Sequence, residues 1–525
     1  MSLYQWFIFF LGVQLIHYLG TWRLYEKAGR KGWEAGIPIY NSIVLMKIIN
    51  RPTWYTFLLF IPVINLLMFP IVWVETLRSF GKNKAIDTFL GVATLGFYIY
   101  YVNYTQDVKH IADRSLKPSN AVADTVSSLL FAIIVATFVH TFFIQPYTIP
   151  SSSLEKSLLI GDFLFVSKVN YGARAPMTAV AAPMVHDTIP ILNKKSYSSW
   201  PQYPYFRFPG FEKIKNNDIV VFNWPRDTLF NMYKPADKRY DKPIDKKTNY
   251  VKRCVGVAGD SLQIKNGIVF INGKELILPE RAKPQYSYYL THDGKTDIDF
   301  EYLLKDFNST DGAGFINEQR DTILIRALTF EGAERLKSVS GIKSVTRVIH
   351  KGPEDGVFPD FQDGKLSVTN NWSNDNFGPI YIPEAGKTVA LNAQSLAYYK
   401  IIITEYEGNT LKVVGNDIYI NDKKTTSYTF KQNYFWMMGD NRHNSLDARY
   451  FGYTPENHIV GKPIFIWMSW DTNGKGFNKI RWERLFTTVN GAGQPQSYFK
   501  YFLLALAAYF VGEYFWKKRK AKKTA

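Results

Sequence analysis

The chain has 525 residues, a formal net charge of +18 and a single cysteine, Cys254. This length allows several domains, and one cysteine excludes an internal disulfide and any multi-cysteine metal site. The basic excess suits anionic partners, but no nucleic-acid-binding motif accompanies it, and long apolar segments indicate anionic lipid instead. The sequence shows no evident cofactor, metal or nucleotide site.

Five apolar segments approach the roughly 20 residues that a helix needs to cross a bilayer: 3–19, 54–74, 85–102, 126–144 and 498–515. The first lacks a basic start and a small-residue cleavage site, so we interpret it as a retained anchor rather than a removed signal. Its Gln14 and His17 leave an interfacial helix as an alternative.

Basic residues predict the orientation of these segments, because Lys and Arg accumulate on the cytoplasmic side of a membrane. The tail KKRKAKKTA, the stretch 23–51 and the linker 109–117 are then cytoplasmic. Five crossings would place 146–496 outside the cytoplasm. The short basic loop 78–84 disagrees, since the same count puts it outside. Either this loop is tolerated there or one early segment is interfacial.

Short apolar runs and period-two patterns such as DIVVFNW and KPIFIWMSW are typical of β-strands, and they fill much of 146–496. Tight hairpin turns are predicted at the Asn-Gly and Asn-Asp pairs of IKNGIVFINGK and VGNDIYINDK. One helix is predicted over 330–341, ending on a glycine. The expected fold class is a membrane protein with a mainly β extracytoplasmic domain, N-terminal transmembrane helices and one C-terminal transmembrane helix.

Polar stretches rich in Gly and Asn indicate an insertion in the β domain. The chain is thus predicted to contain a membrane module of about three spans, a transmembrane helix, a β core in two pieces, an inserted subdomain, a C-terminal transmembrane helix and a basic cytoplasmic tail: 1–122, 123–146, 147–292 with 430–490, 293–429, 497–516 and 517–525.

Three consecutive serines, 151–153, follow the apolar run before the β domain. They are typical of a polar turn, but a serine becomes a nucleophile when a base takes its proton. Histidine is the usual base, and His443 with Asp440 or Asp447 is the arrangement that the sequence allows.

Lysine is the other candidate base, provided that burial lowers the pKa of its amine. Lys252 lies in the strand-like run NYVKRCVGVAGD, where Tyr250, Lys252 and Cys254 share one face. A surface strand with alternating charges explains the same pattern, because lysines are mostly exposed. The residues alone leave both interpretations open.

Three stretches together resemble the conserved boxes of type I signal peptidases, which are Ser/Lys proteases: IPSSSL, YVKRCVGVAGD and GDNRHNSLDAR. GDFLFVSK and DIVVFNWP resemble two further segments of that family, in the same order. The resemblance covers 147–290 and 430–470. Within the first hundred residues, GIPIYNSIVLMKI and RSFGKN resemble a membrane module that is fused to signal peptidases in Bacteroidetes-type bacteria.

The resemblance implies a role for each matching residue. Ser153 would be the nucleophile and Lys252 the general base. Ser445 would hydrogen-bond to the lysine amine and orient it. Ser151 would donate its hydroxyl to the oxyanion, beside the backbone N–H of Ser153.

The resemblance also implies that Asp440, Asp447 and Arg449 support the turn that holds Ser445. Small substrate side chains would fill pockets lined by six residues: Tyr147, Ile149, Leu158, Val221, Tyr250 and Val251. The chain departs from the family pattern at Ser152, where glycine is usual, and at Leu154, where methionine is frequent. A side chain at 152 would be strained if that position needs positive φ.

The implied function is removal of signal peptides from exported preproteins, in the cytoplasmic (inner) membrane with the catalytic domain on the periplasmic side. Lipid and the protein export machinery would be its partners. Two alternatives remain: an inactive protein of the same fold that binds exported chains, and a transporter or scaffold in which the N-terminal spans carry the function.

Overall fold

The computed structural model describes residues 1–117, 121–232, 238–307, 309, 311–359, 371–471 and 474–524. The chain forms two compact units. The first comprises Met1–Phe143, Ala173–Phe208 and Asp227–Thr248, and the second comprises Ile144–Gly172, Pro209–Arg226 and Asn249–Ala525.

Helices dominate the first unit and are few in the second. In chain order they are α1 (Leu3–Lys27), α2 (Tyr40–Ile48), α3 (Tyr55–Leu58), α4 (Ile64–Ser79), α5 (Ala85–Ala93), α6 (Tyr98–Thr105), α7 (Ala121–Phe142), α8 (Phe300–Asp306), α9 (Phe330–Leu336), α10 (Ala393–Ile401), α11 (Ala448–Phe451) and α12 (Phe499–Thr524).

Most of the strands lie in the second unit, and two short ones lie in the first. In chain order they are β1 (Ile144–Thr148), β2 (Asp162–Ser167), β3 (Thr188–Ile189), β4 (Lys194–Lys195), β5 (Ile219–Asn223), β6 (Asn249–Gly256), β7 (Ser261–Lys265), β8 (Ile268–Ile271), β9 (Lys274–Glu275), β10 (Gln285–His292), β11 (Ala313–Phe315), β12 (Thr322–Thr329), β13 (Ile342–Arg347), β14 (Phe377–Tyr381), β15 (Thr388–Ala390), β16 (Leu411–Val414), β17 (Asp417–Ile420), β18 (Lys423–Lys424), β19 (Ser427–Thr429), β20 (Tyr434–Met438), β21 (Thr454–Pro455), β22 (Ile459–Ser469) and β23 (Thr487–Thr488).

Among the described residues, the helices α1 and α7 are long and apolar enough to cross a membrane. The apolar segment 54–74 is not one helix, because the chain breaks between α3 and α4. Pro62 disfavours helical geometry at the preceding residue, and Val63 adopts a positive φ of 71°. The segment 85–102 is also divided: α5 and α6 are bent by 117° and count as a third span only if taken together.

The two ends of α1 meet different parts of the first unit. At its start, Trp6 stacks on Tyr203 with ring centroids 4.1 Å apart and donates a hydrogen bond to the Gln202 carbonyl over 3.0 Å. At its end, Lys27 donates to the Gln106 carbonyl over 2.8 Å. A helix of 25 residues separates these ends by about 36 Å, so the segment around Tyr203 lies at the opposite end of α1 from Gln106.

Three arginines surround Glu75, although the count of apolar segments assigns them to opposite sides of the membrane. The buried carboxylate of Glu75 lies 3.2 Å from Arg51, 3.7 Å from Arg78 and 2.6 Å from Arg114. The basic loop 78–84 therefore begins beside the other two basic stretches. This grouping favours the alternative in which one early apolar segment does not carry the chain across, and the number of early crossings stays a prediction.

The predicted C-terminal span 497–516 corresponds to α12, which continues through the basic tail as a single helix. Its apolar part contains Lys500 and Glu513 and is not among the helices that meet the length and apolarity of a span in the described chain. Its crossing of the membrane stays a prediction.

The core of the second unit is an antiparallel sheet in the order β1-β2-β22-β5-β6-β20-β21, with β23 paired to β22. This order places the strand β6 between β5 and β20. Ile219, Val221 and Val251 project from one face, because Val221 pairs with Val251 and Ile219 with Arg253. Val220 pairs with Lys252 and projects from the opposite face.

The region 293–429, which the sequence predicts to be an insertion, pairs with strands of the segment before it. Its strands β12 and β13 flank β10, and its strand β14 pairs with β7. The predicted helix over 330–341 is the shorter α9, which ends at Leu336 with Lys337 as its C-cap. Hairpin turns form at Asn266–Gly267 and Asn421–Asp422, where all four residues have positive φ, as the sequence predicts.

Candidate active site

The serine-rich turn connects β1 to β2. Ser152, Ser153 and Leu154 form one turn of 3-10 helix, and Leu154 is buried in the apolar core. The backbone of Ile149 exchanges two hydrogen bonds of 2.9 Å with Gly161 and Asp162. These contacts fix the turn, and they leave Ser153 almost fully buried, with 8 % of its surface exposed.

Lys252 reaches this turn from β6. Its Nζ donates a hydrogen bond of 2.6 Å to the Oγ of Ser153. The lysine is 4 % exposed, so the surface-strand interpretation of the sequence does not hold. Burial lowers the pKa of the amine to about 8, against the opposing pull of the Asp447 and Asp440 carboxylates.

Aromatic and apolar side chains surround the amine. The Nζ of Lys252 lies 5.2 Å from the ring centroid of Tyr250, which stacks on Trp224 at 5.2 Å with nearly parallel planes. Val220 and Phe222 face the same side from β5. Such surroundings disfavour the ammonium form, because they offer little solvation to its charge.

Arg253 projects from the other face of β6 and holds Asp440. Its Nε and Nη2 donate to the two carboxylate oxygens over 2.8 and 2.6 Å, and Ser157 adds a bond of 2.5 Å. Burial acts to raise the pKa of Asp440, but the charge and hydrogen bonds of Arg253 outweigh it and hold the pKa below its ordinary value. The residue that follows Lys252 thereby connects the strand to the loop after β20.

Gly439 begins that loop and lies against Ser153. A Cβ on Gly439 would come within 2.5 Å of the Ser153 carbonyl oxygen and 2.6 Å of the Ser445 Cβ. Only glycine fits between them. The Gly439 N–H donates to Asp447 over 3.0 Å, and Arg449 binds both oxygens of Asp447 over 2.9 and 2.8 Å.

Ser445 does not make the hydrogen bond to Lys252 that the resemblance implies. The Oγ of Ser445 is buried and has no hydrogen-bond partner among the described residues, so the expected bond to Lys252 is not formed. The lysine amine is directed to Ser153 instead. Ser151 lies exposed at the start of the turn.

His443 belongs to a different pair from the one that the sequence suggested. Its Nε2 lies 3.1 Å from both oxygens of the buried Asp375, and its Nδ1 accepts the Ser287 N–H over 3.0 Å. The hydrogen-bond pattern assigns the ring proton to Nε2. A Ser-His-Asp arrangement with Asp440 or Asp447 is therefore absent, since both carboxylates are held by arginines.

The possible ligand atoms of His350, Asp375 and His443 lie within 4.8 Å of one another. Among the described residues, these three side chains are a set that could share a metal ion. The hydrogen bond from Ser287 occupies the Nδ1 lone pair of His443. Its Nε2 then carries a proton and offers no lone pair to a metal. The set is better described as a hydrogen-bonded support for the loop that holds Ser445.

The six residues expected in substrate pockets divide between the two faces of the sheet. Five of them share one apolar cluster: Tyr147, Ile149, Leu158, Val221 and Val251. Tyr250 lies on the other face beside Lys252. The alternation of side chains along β6 separates neighbours in sequence, so residues 250 and 251 cannot line the same face.

Ser152 fits the turn without strain. It is not among the described residues with positive φ, so the side chain at this position meets no backbone restriction. Asp375 and Asn374, which contact His443 and Arg449, are functional candidates that sequence reasoning missed. No pattern connects them to a loop some 70 residues away.

Sequence comparison agrees with this geometry. A model of the family described as signal peptidase, peptidase S26, matches residues 122–320 and 385–470. A model of a family of unknown function matches residues 33–113. The fold and the buried Ser/Lys pair define a serine peptidase. The chain belongs to the signal peptidase family.

Curated relatives named signal peptidase I match most of the chain. The protein of Helicobacter pylori is 24 % identical over 376 residues, which are 70 % of this chain and 92 % of the relative. The protein of Haemophilus influenzae is 23 % identical over 387 residues, 71 % and 78 % respectively. That of Buchnera aphidicola from Baizongia pistaciae is 24 % identical over 353 residues, 67 % and 78 %.

Proposed function

We propose that this protein is a membrane-anchored serine endopeptidase that removes signal peptides from exported preproteins, with Ser153 as nucleophile and Lys252 as general base. The observation that carries the proposal is the hydrogen bond of 2.6 Å between a buried amine and a buried hydroxyl. An amine with a pKa of about 8 is partly neutral near neutral pH and can accept a proton.

Catalysis begins when the neutral amine of Lys252 takes the proton of Ser153 as the Oγ attacks the scissile carbonyl. The amine then protonates the leaving nitrogen and afterwards activates the water that hydrolyses the acyl-enzyme. The Ser153 N–H and the Ser151 hydroxyl are the proposed oxyanion donors. Loss of one such donor typically costs about 2.7–4 kcal/mol of transition-state stabilisation.

Ser445 acts after the first proton transfer in this scheme. Its buried hydroxyl is unpartnered among the described residues, and Gly439 packs it against the nucleophile. The ammonium formed on Lys252 needs hydrogen-bond acceptors that the neutral amine does not. Ser445 is the proposed acceptor, reached by rotation of either side chain.

Substrate would bind in extended form beside the sheet, with small side chains before the cut. Tyr147 and Val251 are half-buried and pack against the apolar cluster of the sheet. This cluster is the proposed wall of the pocket. The proposed location is the cytoplasmic (inner) membrane, with the catalytic unit on the periplasmic side. Lipid and the export machinery are the proposed partners.

Mass spectrometry of a purified model preprotein, incubated with the full-length protein in detergent, tests the proposal. The expected result is one cut after a small residue, and none with Ser153→Ala. Preprotein that co-purifies with the protein but stays intact would favour the alternative of an inactive binding protein. Cuts that persist in Ser153→Ala would exclude the proposed nucleophile.

A further inference from the structure

Two asparagine side chains connect the nucleophile turn to a carboxylate of the inserted region. The Nδ2 of Asn441 donates to the Ser152 carbonyl over 3.3 Å and to the Asp311 Oδ2 over 2.6 Å. The Nδ2 of Asn444 donates to the Ser152 Oγ over 3.2 Å and to the same Asp311 oxygen over 2.9 Å. We call these three residues, Asp311, Asn441 and Asn444, the amide bridge.

The amide bridge uses every N–H that the two side chains possess. An Asn side chain carries two N–H donors on one nitrogen. Each asparagine gives one of them to Ser152 and the other to Asp311. A third bond, from the Asn441 backbone N–H to the Ser153 carbonyl over 3.1 Å, holds the same turn.

The carboxylate determines which way both amides face. A side-chain amide can turn by 180°, which would direct its oxygen at the Ser152 carbonyl or hydroxyl. An Asn oxygen facing Asp311 would oppose the carboxylate, so that orientation is disfavoured while Asp311 is ionised. Charge-assisted hydrogen bonds are about twice as strong as neutral ones, and Asp311 makes two.

We propose that Asp311 is a positioning residue for the nucleophile turn, acting through Asn441 and Asn444, and that the serine at 152 is part of this device. This inference rests on the proposed function. A glycine at 152 would offer Asn444 no hydroxyl, so the departure from the family pattern adds a bond. The inserted region thereby takes part in catalysis through Asp311.

Asp311 acts by positioning the turn and not by an electrostatic effect on the Lys252 amine. The negative charges that act on the Lys252 amine are those of Asp447 and Asp440. A variant at 311 should therefore change the rate while the midpoint of the pH profile stays in place. A carboxylate that merely tuned the base would move that midpoint.

Steady-state cleavage of a model preprotein by the full-length protein gives the first test. Asp311→Ala should lower kcat roughly tenfold with KM and the pH midpoint unchanged, and Asp311→Asn should lower it less. Asp306→Ala is the matched control, because this carboxylate of the same region is exposed and pairs with Arg335 in a surface salt bridge. It should behave as wild type.

A double-mutant cycle gives the second test. Asn444→Ala and Ser152→Gly remove the same hydrogen bond from opposite ends, so their effects on kcat should not add. Additive effects would exclude the hydrogen bond between Asn444 and Ser152 as the connection through which Asp311 acts. An Asp311→Ala variant with wild-type kcat would overturn the proposal.

Hydrogen–deuterium exchange provides a measurement that does not need activity. Peptides covering 150–157 should exchange faster in Asp311→Ala than in wild type or Asp306→Ala. Unchanged exchange would overturn the inference even in a chain that cuts nothing. Wild-type protein that fails to cut, but whose turn loosens in Asp311→Ala, would reject the proposed function and keep the positioning role.

Discussion

The Nζ of Lys252 and the Oγ of Ser153 lie 2.6 Å apart although 99 residues separate them in the chain. The hydroxyl belongs to the turn after β1, and the amine belongs to a side chain of β6. Burial of either polar group is otherwise unfavourable, because each would be better solvated at the surface. The proposed chemistry of the protein can therefore be tested at these two side chains.

The pH dependence of cleavage should report the lysine. Because burial lowers the pKa of Lys252 to about 8, kcat/KM should rise with pH, with an apparent pKa near that value. Below the pKa the amine is protonated, and the rate should fall about tenfold for each pH unit. A pH–rate profile of preprotein cleavage checks this.

Lys252→Arg is the control for that profile. A guanidinium stays charged at all accessible pH, so the variant should be inactive even at pH 10. A wild-type profile that is flat between pH 6 and 9, or an active arginine variant, would contradict the proposed base.

Replacing Lys252 by Met should stabilise the protein while abolishing cleavage. The folded-state pKa of the amine lies below its unfolded value of about 10.5, so below pH 8 both states are protonated and the buried charge destabilises the fold by at most roughly 3 kcal/mol. The gain in Lys252→Met should be full at pH 7, shrink from about pH 8, and vanish above about pH 10.5.

Thermal unfolding in detergent at pH 7 and pH 10.5 measures this difference, with Ser153→Ala as the inactive reference. A methionine variant that is less stable than wild type at pH 7 would mean that the charged amine is well accommodated, contrary to the lowered pKa.

Gly439→Ala should impair catalysis more than folding. The added Cβ would lie 2.5 Å from the Ser153 carbonyl and must displace the turn or the loop. Displacement of a catalytic group by about 1 Å can cost roughly 100-fold in rate. Cleavage kinetics and circular dichroism of the variant, beside Gly314→Ala, where a Cβ would meet nothing within 4 Å and the φ is not positive, separate the two effects.

Breaking the Arg253–Asp440 pair should be costly. Both side chains are buried, and removing one charge leaves the other without compensation, a loss of about 3–5 kcal/mol in free energy of unfolding. Asp440→Asn measures it by chemical denaturation. Asp306→Asn breaks the exposed pair with Arg335 and should change stability by less than about 1 kcal/mol.

The grouping of arginines around Glu75 predicts the topology of the early chain. In a Cys254→Ala background, cysteines at Lys47 and Lys84 should react with an impermeant reagent from the same side of the membrane. A cysteine at Tyr205 should react from the opposite side, because that segment lies at the other end of α1. Labelling of Lys47→Cys and Lys84→Cys from opposite sides would contradict the arrangement.

Local patterns in the sequence indicate the strands and the tight turns well. DIVVFNW corresponds to β5 and KPIFIWMSW to the end of β22, and Asn266–Gly267 forms its predicted turn. These features depend on a few neighbouring residues, and local sterics decide them. The roles of Ser153 and Lys252 are predicted differently, from the family resemblance, because the residues alone leave them open.

Features that depend on distant contacts could not be read in advance. The meeting of Arg51 and Arg114 at Glu75 depends on the packing of the first unit. Asp375 and Asp311 reach the loop around His443 from far along the chain, and no periodicity marks them. Hydropathy alone therefore does not show where an apolar segment is broken, and motif matching overlooks the residues that hold the site from outside.

The position of β22 has a consequence for biosynthesis. This strand separates β2, which follows the serine turn, from β5 and β6, which bring the lysine. Until the ribosome has added Ser469, the two hairpins have no common strand to join them. The growing polypeptide should thus lack the assembled pair of Ser153 and Lys252 through most of its own translation, until β22 has been made.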